Sequence, residues 1–256
     1  MTKPSLFFLA HIIFLMMSLM VATLSSRWAH AEQQENTLTV GLNTSIDYQA
    51  YKGKTVTYTV LPMIFFDNDL FYAEGDEAGI YLINDENNEL RLNAYYDGNS
   101  FSPHGEFQGV DRRDWSVMAG MSYLHITPYG GFKLQAAQDT LGRHRGQVFS
   151  VSYLAAFEQQ PWLIYPEFGV QWVSKKYNQY YFAVNSREAA DAKLQPYQLG
   201  SSVQPYASLV IDYRLNKRWD IFTNLNINYL SDKQYNSPMV KSRYDIEQNI
   251  GLNYTF

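Results

Sequence analysis

No cysteine occurs anywhere in the 256 residues. Disulfide staples, thiolate nucleophiles and cysteine-held zinc are therefore excluded. A thiol-free chain also suits export to an oxidising compartment. Charge is sparse as well: 20 Lys+Arg against 25 Asp+Glu leave a formal −5. No basic stripe of the kind a nucleic-acid binder needs stands out, so no nucleic-acid partner is expected. Mean hydropathy is slightly polar, which excludes a multi-span helical membrane protein.

The single long apolar run opens the chain as "MTKPSLFFLAHIIFLMMSLMVATLSSRWAHAEQQ". Lys3 supplies a basic start, Leu6 to Leu24 an apolar core, and Ala29 and Ala31 the small residues of an A-x-A cleavage site. We expect residues 1–31 to be a cleaved secretory signal peptide. Cleavage after Ala31 would leave 256 − 31 = 225 residues, 32–256, as one exported domain.

What the chain has in abundance is aromatic residues, 21 Tyr, 15 Phe and 5 Trp, set in segments of period two. Ile246, Gln248, Ile250, Leu252, Tyr254 and Phe256 alternate with Asp245, Glu247, Asn249, Gly251, Asn253 and Thr255 up to the last residue. Residues 89–97, 203–213 and 219–229 repeat the pattern, the last with Asn224, Asn226 and Asn228 on one parity. Period two marks a strand with one face unlike the other. Three Asn on one face suit water, and the opposite apolar face suits lipid. Further strands are expected at about 37–46, 56–66, 70–83, 115–125, 129–139, 147–157 and 162–173. Their lengths approach the roughly nine to eleven residues of a tilted strand crossing a bilayer. Trp115, Trp162, Trp172, Tyr213, Trp219, Tyr229 and Phe256 fall at strand ends, where interfacial girdles form.

Connections alternate in length. Residues 83–89, 125–130, 157–162 and 213–219 are tight, whereas 98–113, 174–202 and 230–244 are long and polar. This is the habit of outer-membrane barrels, with short turns inside and long loops outside. The expected fold is all-β, an antiparallel transmembrane barrel with a short helix in a long extracellular loop. Eleven strand candidates must resolve to an even number. Ten results if 37–46 lies outside the wall; twelve results if 71–83 or the 98–113 loop hides another strand. A soluble sandwich gives the same alternation but leaves the terminal aromatic strand and the export signal unexplained.

Chemistry is thinly supplied. Past the signal only His104, His125 and His144 remain, with no H-E-x-x-H and no G-x-S-x-G. No catalytic, cofactor or metal residues are expected, and the chain reads as a non-enzyme. His125 belongs at a strand rim. "LGRHRG" around His144 reads as a solvated loop tip, the alternative being a contact to lipopolysaccharide phosphate. "DRRD" (111–114) reads as a charged loop with internal Arg–Asp pairing. Lumen-parity charges Arg91, Asp97, Lys133, Glu167, Asp212, Asp220 and Glu247 read as neutralising pairs, with Tyr95, Tyr165, Tyr206 and Phe222 filling the interior.

Several blocks carry a family resemblance. "YYFAVNSREAADAKLQPY" (180–197), "WDIFTNLNINYLSDKQYNSPMV" (219–240) and the "GLNYTF" ending resemble the MltA-interacting protein (MipA)/OmpV family. So do "VLPMIFFDNDLFYAEGDEAGIYL" (60–82), "DRRDWSVMAGMSYLHITPYG" (111–130) and "AAQDTLGRHRGQVFSVSY" (136–153), in that family's order. The chain departs from the family at Ala183, where Gly is common, at Ala192-Lys193-Leu194 in place of Ser-Gly-Leu, and at Thr255 in place of Arg. The resemblance implies a barrel in the outer membrane of a Gram-negative bacterium. It further implies a scaffold linking a lytic murein transglycosylase to a bifunctional penicillin-binding protein in peptidoglycan remodelling; the alternative is a small porin or adhesin. Outer-membrane lipid is a partner in either case. Ile250, Leu252, Tyr254 and Phe256 resemble the terminal signal read by barrel-assembly machinery. Murein enzymes would meet the short turns, where Asp85, Glu86, Glu158, Gln159, Lys217 and Arg218 are the candidate contacts. Ser186 is the expected cap of a helix over Arg187–Ala192, packing over the barrel mouth.

Overall fold

The computed structural model describes residues 38–53, 56–68 and 70–256. The signal-peptide expectation, with Ala29 and Ala31, lies outside them. The described chain is a single antiparallel sheet closed on itself. Its strands are β1 (Leu38–Tyr48), β2 (Val56–Asp67), β3 (Phe71–Glu74), β4 (Glu77–Asn84), β5 (Asn88–Asp97), β6 (Ser116–Thr127), β7 (Gly130–Asp139), β8 (Gln147–Leu154), β9 (Phe157–Gln159), β10 (Trp162–Val173), β11 (Ser202–Arg214), β12 (Trp219–Tyr229) and β13 (Tyr244–Thr255). Both β8 and β9 pair with β10 and form one interrupted stave. The wall therefore has twelve staves.

Twelve is reached through the second of the two routes. Residues 38–48 are a wall strand, and 71–84 is a hairpin of two strands. Gly75, at φ 68°, turns the chain between Glu74 and Glu77. Closure joins the two ends of the barrel chain. Thr39 pairs with Thr255, Leu42 with Leu252 and Tyr48 with Ile246, and the Phe256 N–H donates to the Leu38 carbonyl at 3.1 Å. The terminal strand thus has no free edge.

Side-chain parity follows the sequence. Leu42, Leu92, Phe132, Val151, Phe168, Ile221, Ile250 and Leu252 are exposed on the outer face, while Asn43, Asn93, Ser152, Asn249 and Asn253 are buried on the inner one. Rings meet at both rims. Trp162 lies against Tyr213 and Trp219 against Tyr254 at the short-turn end; Tyr96 meets Trp115 and Tyr229 meets Tyr244 at the other. Inside, Asn43 donates to Asn249 (2.9 Å), Tyr206 to Glu167 (2.6 Å) and Asn253 to Asp220 (2.8 Å).

The apolar core does not lie in the barrel. It lies above it, in a cap built from the long loops. Ala50 and Tyr51, Phe101, Phe107 and Val110, Tyr181 to Val184, and Leu230, Met239 and Val240 form one buried cluster. Apolar side chains from four separate loops leave water together, so the loops fold as a unit over one end of the barrel.

Candidate functional site

The two barrel ends offer different surfaces, and the cap is the more built of the two. Helix α1 (Lys175–Phe182) starts where the Ser174 hydroxyl accepts the N–H groups of Gln147 (2.9 Å) and Tyr177 (3.4 Å). Helix α2 (Ser186–Ala192) follows after Ala183–Asn185. Its cap is Asn185, not Ser186. The Asn185 side chain accepts from Arg187 and Glu188 N–H at 3.0 Å each, and Glu188 accepts the Asn185 N–H at 2.9 Å. Asn185 stands three residues before Glu188, the spacing of a reciprocal capping box, whereas Ser186 is one residue too close. Lys193 ends α2 in the left-handed region at φ 55°. That is the neighbourhood in which the family's Ser-Gly-Leu places Gly, the residue that adopts this conformation without strain. Helix α3 (Asp232–Tyr235), not expected from sequence, is closed by a second box between Ser231 and Gln234.

Glu188 also fixes the loop before β6. It meets Arg113 at 2.7 Å with both side chains buried, and accepts the Asp111 N–H at 3.0 Å. Within "DRRD", Arg112 does pair locally with Asp114 at 2.6 Å. Arg113 leaves the motif for Glu188. A recess of about 250 Å³ opens beside this pair, next to Tyr180 and Asn185. Deeper in the cap, Gln234 donates to Gln204 (2.7 Å) and Asn178 (3.1 Å), and Ser237 donates to the Phe182 carbonyl (2.7 Å). Burial pushes the Tyr51 and Tyr177 hydroxyls well above their ordinary range.

His144 is not at a solvated tip. Its ring is fully buried against Tyr177, Tyr180 and Tyr181. Nδ1 accepts the Gly146 N–H at 2.9 Å, and Nε2 stands 3.8 Å from Asp97. Asp139 draws the loop down by accepting the His144 and Arg145 N–H groups at 2.9 and 2.7 Å. Burial lowers the His144 pKa, against the pull of Asp139. A lipopolysaccharide contact through this ring is excluded by the same burial. His104 is exposed beside Ser102, and His125 sits at the short-turn rim beside Asn88, as its strand position implied.

The short-turn end is plainer. Asp85 caps its own turn by accepting the Asn87 (2.9 Å) and Asn88 (2.8 Å) N–H groups, which lower its pKa together with the Asn88 side chain. Glu158 accepts from Tyr165 at 3.3 Å. Arg218 holds the terminal strand: its carbonyl accepts the Thr255 N–H at 2.8 Å and its guanidinium donates to Tyr254 at 3.2 Å. Glu86, Gln159 and Lys217 are exposed and make no side-chain hydrogen bond to another described residue. The turn after Gln159 adjoins the turn at 215–218 through Arg214 N–H to Pro161 carbonyl, 2.9 Å. Glu158, Gln159, Lys217 and Arg218 therefore share one arc, and Asp85 and Glu86 lie on another, between β4 and β5. Sequence reasoning missed Tyr129, 86 % exposed at the tip between β6 and β7. An aromatic inside the tight "TPYGG" turn was its signal. Inside the barrel the expected neutralising pairs are few. Arg91 bridges Glu74 (3.2 Å) and Glu89 (2.5 Å), while Glu167 and Asp220 are held by neutral donors.

Comparison with known proteins places these features in a family. Residues 38–256 match the model of "MltA-interacting protein MipA". The chain is 30 % identical to the MltA-interacting protein of Escherichia coli K12, over 94 % of this chain and 98 % of that protein. It is 25 % identical to the putative outer membrane protein YiaT of the same organism, over 86 % and 91 % of the two chains. Among solved structures, an outer membrane channel from Pseudomonas putida F1 aligns with a TM-score of 0.44 at 10 % identity, over 90 % of this chain and 98 % of that one. The relatives carry the names of an interacting protein and of outer-membrane proteins, not of enzymes. The protein resides in the Gram-negative outer membrane, and its chain belongs to the MltA-interacting protein MipA family.

Proposed function

We propose that this barrel is an outer-membrane scaffold for peptidoglycan remodelling, holding a lytic murein transglycosylase beside a bifunctional penicillin-binding protein. The observation that carries the reading is the asymmetry of the two ends. Outside, four loops spend their apolar residues on each other in the cap. At the other end, where both strand termini lie, Glu86, Gln159, Lys217 and Tyr129 project with no intramolecular task. The name of the 30 % identical relative supplies the transglycosylase as the partner class; the penicillin-binding protein comes from the family resemblance alone. Each turn is a small patch, so affinity would come from several contacts and from partners confined to one membrane. Crosslinking in intact envelopes tests the reading. Recovery of a lytic transglycosylase with the barrel is expected, and recovery of other barrels alone would refute it.

A further inference from the structure

The β3–β4 hairpin is shorter than the strand beside it. β3 pairs with β2 only from Phe65 to Asp67, and one further bond, Gly75 N–H to the Ile64 carbonyl at 3.2 Å, closes the contact. From Met63 up to Val56, β2 has β1 on one side and no described strand on the other. Backbone groups alternate in direction along an antiparallel strand. Since Ile64 faces the hairpin, Val60 and Tyr58 direct their N–H and carbonyl groups into the gap, and Pro62 directs its carbonyl there. Pro62 is the deepest of the three and has no N–H to leave unpaired, which is how a strand edge tolerates proline.

Exposure records the same gap. Tyr58 is 70 % exposed, Val60 61 % and Leu61 41 %, and Thr59 and Pro62 are exposed as well. Both faces of β2 are thus open over five consecutive residues, where neighbouring strands alternate. Unpaired backbone cannot face hydrocarbon without a polar partner or a water-filled space behind it. The missing length of β3 and β4 leaves a side window about two strand spacings wide, roughly 10 Å, under the cap and open toward the outer leaflet.

The space behind the window is acidic. Glu74, Asp76 and Glu77 form its sill, with the Glu74 side chain half-exposed and Asp76 exposed. Asp76 lies within electrostatic reach of Glu247 across the lumen, with Lys133 the nearby base. Asp47, Asp97, Asp245 and Glu247 form a further acidic group. Arg91 is already bound to Glu74 and Glu89. One lumen-facing step below the Glu77–Tyr95 pair is Asn93, opposite Gly79. It is 5 % exposed, with neither amide atom partnered among the described residues.

We propose that this window admits an amphiphilic organic cation from the outer leaflet. Its hydrocarbon chain stays in the leaflet against the outward side chains of Tyr58, Val60 and Pro62. The unpaired backbone groups face the wet space of the window, and the cationic head sits among Asp76, Glu77 and Asn93. The long loops pack together over the outer end, and the ligand enters sideways through the window. An anionic amphiphile is rejected by the sill, and an added strand from another protein meets an edge that Pro62 interrupts.

The cysteine-free chain allows a single reporter. Val60→Cys carries an environment-sensitive fluorophore in nanodiscs, and dodecyltrimethylammonium is titrated against dodecyl sulfate of equal chain length. The ammonium should give a saturable response at about one-tenth the sulfate concentration. The same label at Val151→Cys, on the lipid face of β8 across the barrel from β2, should show no saturation. Asp76→Asn with Glu77→Gln should abolish the preference, and Thr59→Trp, which fills the window, should weaken the response to the ammonium. Heat-modifiable gel migration reports that each barrel is intact. Equal responses to the two amphiphiles, a preference surviving the double substitution, or crosslinking of the Val60 site to a second polypeptide would overturn the proposal.

Discussion

The two ends of this barrel use loop residues in opposite ways. At the capped end the chain spends many residues on its own packing: a common apolar core, two capping boxes, the buried Arg113–Glu188 pair and the Gln234–Asn178–Gln204 network. At the other end the turns are as short as the strands permit, and their polar side chains either brace the turn, as Asp85 does, or face water, as Glu86 and Lys217 do. Long loops therefore need not signal a binding surface. Here length is what allows a loop to bury something, and the residues freest to meet a partner lie in the shortest connections.

The largest effect should come from the cap. Glu188→Ala leaves Arg113 buried without its carboxylate, a loss of about 3–5 kcal/mol. Protease added to whole cells should then cut within 98–115 or 174–201 while the barrel stays heat-modifiable. An uncut cap would show that the pair is dispensable. Next in size is Leu252→Lys, a charge on the lipid face, costing about 2–4 kcal/mol if near the midplane. Asn226→Lys, facing Glu247 across the β12–β13 ladder, should assemble normally. Equal assembly defects from the two substitutions would mean that the inward and outward faces are assigned the wrong way round. Asn253 is a poor lumen control despite its parity, because it is buried against Gly41.

Acid should loosen the cap through His144. Its folded pKa lies below the ordinary value of about 6.5, so the neutral ring is the form the fold favours. The stabilisation is present above that ordinary value and is lost as pH falls below it toward the folded pKa. Amide protection in 140–146 and 175–182, with the intrinsic slowing of exchange in acid divided out, should therefore fall below about pH 6.5. His144→Gln should flatten that dependence; an unchanged profile in the variant would assign it elsewhere. The smallest effect belongs to Lys193→Gly. Relief of the left-handed backbone should stabilise the cap by about 1 kcal/mol, read as slower exchange in α2. Faster exchange would contradict it.

Most of the wall was legible in the sequence because a strand with lipid on one side and a wet lumen on the other must alternate, and that pattern is local. Residues 89–97, 203–213 and 219–229 showed it directly. Residues 71–83 stay open between one strand and two in the sequence, because four residues give too few alternations to resolve and Gly75-Asp76 alone marks the turn. The cap was mostly illegible for the opposite reason. Arg113 finds Glu188 seventy-five positions away, and His144 is buried by tyrosines of another loop, so no local pattern could reveal either. Asn185 is legible in the sequence, since its spacing to Glu188 is that of a capping box.

The central claim is that partners engage the short-turn end. It is tested most directly by replacing Glu86, Gln159, Lys217 and Tyr129 with Ser in one chain and opening the cap with Glu188→Ala in another. A lytic transglycosylase is then captured from crosslinked envelopes containing each. The turn variant should lose the enzyme and the cap variant should retain it, with both barrels heat-modifiable. Retention by the turn variant and loss by the cap variant would contradict the account.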